Sequence, residues 1–247
     1  MKSYRGNVAD VEKTLFWIGH ASFYIKSRPA AMRTEPFAGM EPRDYTVFID
    51  PFNVSDHVKE RADLILITHA HFDHWSTKDI DRVSKSGTKM ILSPLCNGSE
   101  KYKGVTVAKP GFKTSFASGD VLISAIPAYN LKSERLQFHP RSNDWVGYVL
   151  EVAGLKIYHA GDTDFIPEMK ALKDIDVALL PMGGTYTMGV DELIEAARAI
   201  DAKHVVPVHY KNLLGREGSE KAEKRLKDNL DNVLFMKEVQ PPTYSFS

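Results

Sequence analysis

A chain of 247 residues with 43% apolar and 26% charged residues is an ordinary globular sequence, long enough to bury a large core. Its 32 basic and 32 acidic side chains cancel, which removes any overall electrostatic drive towards nucleic acid or an anionic membrane surface. No apolar run approaches the roughly 20 residues of a membrane span and no signal-like stretch opens the chain, so a cytoplasmic protein is expected.

Residues 15–18 and 22–25 read as two strands around Gly19-His20-Ala21. Residues 27–44 carry scattered Met32, Phe37 and Met40 among prolines; they read as a long loop, either a lid or binding loop or a tolerated surface insertion. A strand over 46–49 ends in Asp50-Pro51, and His57 is expected on an exposed helix. Leu64-Ile65-Leu66-Ile67 has the composition of a buried strand, and Thr68-His69-Ala70-His71-Phe72-Asp73-His74-Trp75 follows it directly. Ser76 then supplies a capping hydroxyl and Asp79 an acid three positions on, which starts a helix running to about residue 85.

Strands are expected over 90–93, 105–107 and 121–126. Between the first two lies Cys96, the single cysteine, which excludes an intrachain disulfide, fits a reducing compartment and is read as a packing residue. Residues 131–144 are polar and read as a loop over the sheet's edge. Strands 146–152 and 155–159 form a hairpin through Ala153-Gly154, followed by a short helix at 167–173 and a buried strand at 177–180. Residues 191–200 begin with acids and place Leu193, Ile194, Ala197 and Ile200 at helical spacing. Strand 205–208 is confined by Pro207 to an edge or a terminus, His204 at its start faces away from His209, an exposed helix covers 219–230, and 233–236 is a last strand.

Three of the nine histidines fall within 69–74, with Asp73 among them. Neutral imidazole and carboxylate suit zinc, and also iron or manganese. One pattern recurs: apolar strands end in Asp50, in the 69–74 cluster, in Asp162, in Gly183-Gly184 and in His209. Ligands of layered α/β proteins bind where strand carboxyl ends converge, so these residues are expected at one edge. The glycines before Thr185-Tyr186-Thr187-Met188 fit either an anion-binding turn that places Tyr186 near substrate or a plain tight turn.

Thr68 to His74, Gly161-Asp162-Thr163-Asp164 and Pro207-Val208-His209-Tyr210 resemble the metallo-β-lactamase superfamily in order and spacing. The resemblance extends from Ile18-Gly19-His20-Ala21-Ser22 and Phe48-Ile49-Asp50-Pro51 over nearly the whole chain. Within the superfamily it is similar to metal-dependent hydrolases related to L-ascorbate-6-phosphate lactonase, through the stretches 157–164 and 184–188. It implies a single domain over 1–247, a four-layer αββα sandwich of two mixed sheets. It also implies two divalent metal ions, zinc first with manganese or iron as alternatives. His69 and His71 would bind the first, Asp73, His74 and His209 the second, and Asp162 both. A hydroxide held between them would attack the substrate, with Asp73 and Asp162 as the catalytic carboxylates.

One departure stands out. Where the family has a third histidine for the first metal, this chain has Ala128, followed by Tyr129-Asn130. His139, on the loop just downstream, is the nearest substitute. His20 is placed beside the site as a contact of a ligand or of substrate, Asp50 as an orienting partner for a metal-bound imidazole, and His159 as either such a partner or a core residue. The expected partner is a small-molecule substrate, an ester or lactone, with a small or lipid phosphodiester as the alternative. A redox or purely metal-binding protein is the alternative of another class. Nucleic acid is not expected, β-lactams are disfavoured by the missing export signal, and a homo-oligomer is left open.

Overall fold

The computed structural model describes residues 8–27 and 44–242. The loop read over 27–44 therefore lies outside the described residues except at its two ends. Helix α1 (Val8–Thr14) leads into β1 (Leu15–Gly19), β2 (Ser22–Ser27), β3 (Tyr45–Ile49) and β4 (Leu64–Ile67); α2 (Thr77–Val83), β5 (Lys89–Leu92) and β6 (Val105–Val107) follow. These strands form one sheet in sequence order, antiparallel from β1 to β3 and parallel from β3 to β6. The second half repeats the plan with β7 (Lys113–Phe116), β8 (Val121–Pro127), β9 (Val146–Val152), β10 (Leu155–His159), β11 (Val177–Pro181), α3 (Val190–Ile200), β12 (His204–Val208) and α4 (Lys211–Lys227). Its sheet is antiparallel from β7 to β10 and parallel from β10 to β12. The expected α/β sandwich of two mixed sheets is the fold.

The pleat divides the first sheet's apolar residues between two layers. Val47, Ile49, Leu64, Leu66 and Ile91 enter the core shared with the second sheet, beside Ile123, Leu150 and Ile157. Their neighbours Phe48, Ile65, Ile67, Met90 and Leu92 pack instead with Ile80 and Val83 of α2. Successive side chains of a strand point to opposite faces, so a strand covered on both sides must be apolar throughout, as Leu64-Ile65-Leu66-Ile67 is. Burial of each such side chain contributes about 1.5–3 kcal/mol. Cys96 belongs to this outer core, and burial, with Asp50 nearby, pushes its thiol up to about 12, which fits the packing role.

Ser76 caps α2 by accepting from Asp79 N. Asp79 does not return the bond to the Ser76 backbone; its carboxylate accepts from Ser76 Oγ (2.6 Å) and from the N–H groups of Asn53 (3.0 Å) and Val54 (2.9 Å), tying the chain after Asp50 to the helix. The β9–β10 hairpin closes through Ala153 and Gly154, both at positive φ, as a two-residue turn of matching twist requires.

Several elements depart from the sequence reading. α1 and β7 were unforeseen: each is short, and β7 is polar in alternation and pairs only with β8 at the sheet's edge. Residues 167–173 form a 3-10 turn over Pro167–Ala171. Residues 233–236 contribute one bridge, Val205 to Val233, and no strand, which leaves β12 at the edge where Pro207 is tolerated. α4 begins at Lys211, well before residue 219, and is interrupted at Gly215, whose φ of 63° breaks the helix. His57 sits in an exposed turn rather than a helix.

Gly147 of β9 lies against the chain as it leaves β10. A Cβ at this position would sit 2.5 Å from His159 O and 2.6 Å from Ala160 O, in rigid backbone on the way to Asp162. Gly147→Ala is expected to destabilise the fold by about 3 kcal/mol, the upper range for overpacking. Urea denaturation checks this, and an unchanged midpoint would show that the two backbones can part freely.

Candidate metal centre

The carboxyl ends of the central strands of both sheets converge on one edge, as their polar termini led one to expect. After β4 the chain turns sharply: His74 N and Trp75 N both donate to His71 O, at 3.0 and 2.7 Å. The turn brings His74 back beside His69, with ring centroids 3.9 Å apart, while His71 lies 4.7 Å from His69. Asp162 arrives from the end of β10 and His209 from the end of β12. His20, Asp50 and His209 all sit at positive φ, which side chains other than Gly, Asn and Asp rarely adopt. Such backbone strain is common where packing holds functional groups in place.

Two groups of side chains result. His69, His71 and His139 bring ring nitrogens within 4.8 Å of one another; His20, His74 and His209 do the same together with a carboxylate oxygen of Asp73, and His69, His74 and Asp162 form a third set that overlaps both. Asp162 lies between the groups: Oδ2 is 3.1 Å from His209 Nε2, 3.4 Å from His139 Nε2 and 4.0 Å from His69 Nε2, while Oδ1 is 3.4 Å from His74 Nε2. His139 is thus brought beside His69 and His71 although the loop over 131–144 read as edge covering. That loop is not merely superficial, because Arg135 and His139 within it are 4% and 1% exposed.

The donor set fits metal ions on an observation independent of residue type. His74 Nε2, His139 Nε2, His209 Nε2 and Asp162 Oδ1 are buried and have no hydrogen-bond partner. A buried polar atom without a partner costs about 1–3 kcal/mol, so four together in one place fit a set of donors arranged to bind metal. His69, His71 and His139 suit one divalent ion, and His74, His209 and Asp73 a second, with Asp162 within reach of both.

Asp50 lies against His74. Fully buried, it accepts from Thr68 N (2.8 Å) and Thr68 Oγ1 (2.6 Å), and its Oδ2 holds His74 Nδ1 at 2.7 Å, which leaves His74 Nε2 to face the centre. His20 donates Nε2–H to Asp73 Oδ2 at 2.9 Å. Burial, with His209 beside it, lowers His20 to about 4, so the contact is a neutral-imidazole hydrogen bond and not an ion pair. At His159, Nε2–H donates to Ala21 O (2.8 Å) and Nδ1 accepts from Gly161 N (3.1 Å), so both nitrogens are committed to tying the Asp162 turn to the β1–β2 turn. Tyr186 is at the rim, its ring edge-on to Phe138 at 4.7 Å. Gly184 N–H is committed to Met188 O (3.0 Å), and a Cβ on Gly183 would lie 2.7 Å from His209 O; the close packing of the His209 turn accounts for that glycine. His204 is half-buried at the far end of β12.

Sequence reasoning missed Trp145, Asn130, Asp164 and Arg135. Trp145 walls the first group, with ring centroids 5.0 Å from both His69 and His71. A tryptophan just before a strand carried no signal of that role. Asn130 and Asp164 stood inside motifs already noted, and only the folded loop shows their connection.

Electrostatics separate the two groups. Burial pulls His74 down, yet the Asp162, Asp50 and Asp73 carboxylates outweigh it and hold the ring well above the usual imidazole range. Asp162 and Asp73 likewise raise His209 to about 9 against its own burial. His69 and His71 go the other way, lowered by burial and by neighbouring histidines. The consequences for the metal-free chain have opposite signs. His74 and His209 stabilise the fold below an unfolded value of 6.5, and this is lost as pH rises towards 9. His20, His69 and His71 bind fewer protons folded than unfolded, so acidification from 6.5 towards 4 also costs stability. Thermal unfolding after chelation is therefore expected to show its highest midpoint near pH 6.5; a midpoint still climbing at pH 9 would contradict the assignment.

The beta-lactamase superfamily domain model matches residues 14–209. A UPF0173 metal-dependent hydrolase of Pyrococcus furiosus is 33% identical over 206 residues, covering 78% of this chain and 83% of that protein. Another, from Pyrococcus horikoshii, is 33% identical over 228 residues and covers 90% and 95%. Among solved structures, a metal-dependent hydrolase of Parabacteroides distasonis superposes with a TM-score of 0.73 at 35% identity, covering 92% of this chain and 93% of its own. A fold of two mixed sheets, a His/Asp centre at their shared edge and these relatives converge: the chain belongs to the metallo-β-lactamase superfamily, among its UPF0173 metal-dependent hydrolases.

Proposed function

We propose that this hydrolase opens an ester or lactone of a small molecule by attack of water activated at a two-metal centre. The observation that carries the reading is Asp162, a 4% exposed carboxylate placed between two groups of candidate ligands, among which the buried His74 Nε2, His139 Nε2 and His209 Nε2 lack hydrogen-bond partners. Two divalent ions held there, zinc or alternatively manganese or iron, would acidify the attacking water and polarise the attacked oxygen. Everything else falls to the chain itself. Asp73 is the carboxylate turned to the open side, its side chain 18% exposed against 4% for Asp162, so it is suited to take the proton released on attack. His20 Nε2–H steadies Asp73 Oδ2 for that role, and Asp50 keeps His74 from rotating. Phe72, 77% exposed between His71 and Asp73, and Phe52 at 6.0 Å from it line the mouth with apolar surface for a carbon skeleton.

A carbonyl substrate is favoured over a phosphodiester because, among the described residues, the buried arginine beside the centre has its charge already engaged. Arg135, the buried guanidinium at the neighbouring loop, is already neutralised by Asp164 (2.8 Å) and Glu192 (2.7 Å). The lactones handled by relatives of L-ascorbate-6-phosphate lactonase fall within this class. The purified chain, loaded with zinc or manganese, is to be assayed against lactones, aryl esters, thioesters and bis-p-nitrophenyl phosphate. Turnover of lactones or esters with little on the diester is expected. Turnover of the diester alone would overturn the carbonyl assignment, and none at all with metal bound would favour a binding role. Among the described residues no helix is long and apolar enough to cross a membrane.

A further inference from the structure

His139 reaches the centre from a loop, and a loop side chain needs something to aim it. Its ring presents one committed edge and one bare edge. Nδ1 lies 2.9 Å from Asn130 Oδ1, whereas Nε2, buried and without a hydrogen-bond partner, points at the centre 3.4 Å from Asp162 Oδ2. Asn130 grips the same residue twice more, its Oδ1 accepting from His139 N (3.1 Å) and its backbone N–H donating to His139 O (2.8 Å).

The orientation of the Asn130 amide is settled by its other end. Nδ2 donates to Asp164 Oδ1 and to Tyr186 O, both at 3.0 Å. Reversing the amide would set its NH2 against the His139 N–H and its oxygen against two acceptors, so the network permits one orientation. With Oδ1 facing the ring, His139 must carry its proton on Nδ1, which leaves the Nε2 lone pair free. Asp164 is fully buried and receives Leu131 N (2.7 Å), Lys132 N (3.0 Å) and the Arg135 guanidinium as well, so one carboxylate gathers the whole start of the loop. Arg135 is braced in turn by Glu192 of α3 and by the carbonyls of Gly184 and Thr187.

We propose that Asn130 is the positioning residue that fixes the tautomer and direction of His139, held in place by Asp164 and Arg135. It compensates for a ligand supplied by a loop instead of a strand end. The proposal rests on the reading of His139 as a ligand of the first ion. Partners that orient metal-bound imidazoles are worth roughly ten- to a hundredfold in metal affinity.

The test is zinc titration of the full chain in competition with a chromophoric chelator, with nitrogen-resolved NMR of the His139 ring in the chelated chain at pH 8. Asn130→Ala is expected to weaken one zinc by roughly ten- to a hundredfold and to leave the other within about threefold. In the unaltered chain the ring is expected as the Nδ1–H tautomer, a readout that needs no variant to fold and that a merely structural role for Asn130 would not require. A ring protonated on Nε2, or an Asn130→Ala chain that binds both ions normally, would overturn the proposal. His139→Ala separates this from the underlying reading: if it also keeps both ions at full affinity, the ligand assignment itself is wrong. If it loses one while Asn130→Ala does not, only the positioning role fails.

Discussion

Asp162→Ala is expected to abolish hydrolysis, by roughly a thousandfold or more, and to reduce bound metal from two ions per chain to at most one. The reason is position. Among the described residues, Asp162 is the single carboxylate within 4.0 Å of nitrogens from both groups, those of His69 and His139 on one side and His74 and His209 on the other. Burial would push its carboxyl up, but the His209 and His74 charges overcome this and hold it well below the usual range, so it stays ionised at any working pH. In the proposed two-metal centre, removing it would take a ligand from each ion, and it also takes the counter-charge that keeps His74 and His209 protonated in the metal-free chain. The variant should therefore be purified at pH 8 and above, where neutral histidines pack without that charge. Elemental analysis and circular dichroism on the same sample separate lost metal from lost fold. Asp162→Asn, which keeps one oxygen as a ligand but no charge, should fall between the two. A folded Asp162→Ala chain that still turns over substrate would remove the two-metal mechanism altogether.

How much of this was legible in the sequence follows from how local each cause is. The Leu64–Ile67 strand and the ligands behind it are specified by neighbouring residues: an apolar run needs burial on both faces, and a His/Asp cluster directly after it has few other uses. The hairpin turn at Ala153-Gly154 and the Ser76 cap are equally local, and they form where expected. The elements that escaped are those whose cause lies elsewhere in the chain. β7 is a strand only because β8 offers an edge to pair with. Residues 233–236, by contrast, have strand-like composition and yet reach only Val205. Arg135 looked like one more charge on a polar loop, and it is buried because Asp164 and Glu192 await it 29 and 57 positions away. Asp50 was legible as an orienting group because a strand end places it beside the cluster, whereas Trp145 was not, since nothing near it in sequence points to the histidines.

His139→Ala is expected to leave one ion bound and to weaken the other by roughly a hundredfold or more, with activity falling in step. Without His139 the site would be left with His69, His71 and a carboxylate shared with the other ion, and losing one of its imidazole donors weakens its hold on metal. The second ion of the proposed centre would be held by the 73–74 turn and by His209 after β12, in a set of candidate ligands that does not include His139, and should be retained. A stability cost accompanies the loss. The ring is 1% exposed among His69, His71 and Trp145, with centroids at 5.1, 4.9 and 5.8 Å, and its removal leaves a cavity and one fewer partner for Asn130 Oδ1. That combination is worth about 2 kcal/mol, small enough for the chain to fold and be measured. Transferring a histidine to the strand-end position, Ala128→His on the His139→Ala background, asks whether the centre needs this loop or only a third imidazole. Ala128 is buried and its N–H donates to Trp145 O, so the new ring would start from the wall of the first group. Recovery of the first ion would show that the loop supplies a ligand and nothing more; failure to recover, with fold intact, would mean that the clamp from Asn130 to Arg135 shapes the centre as well as completing it.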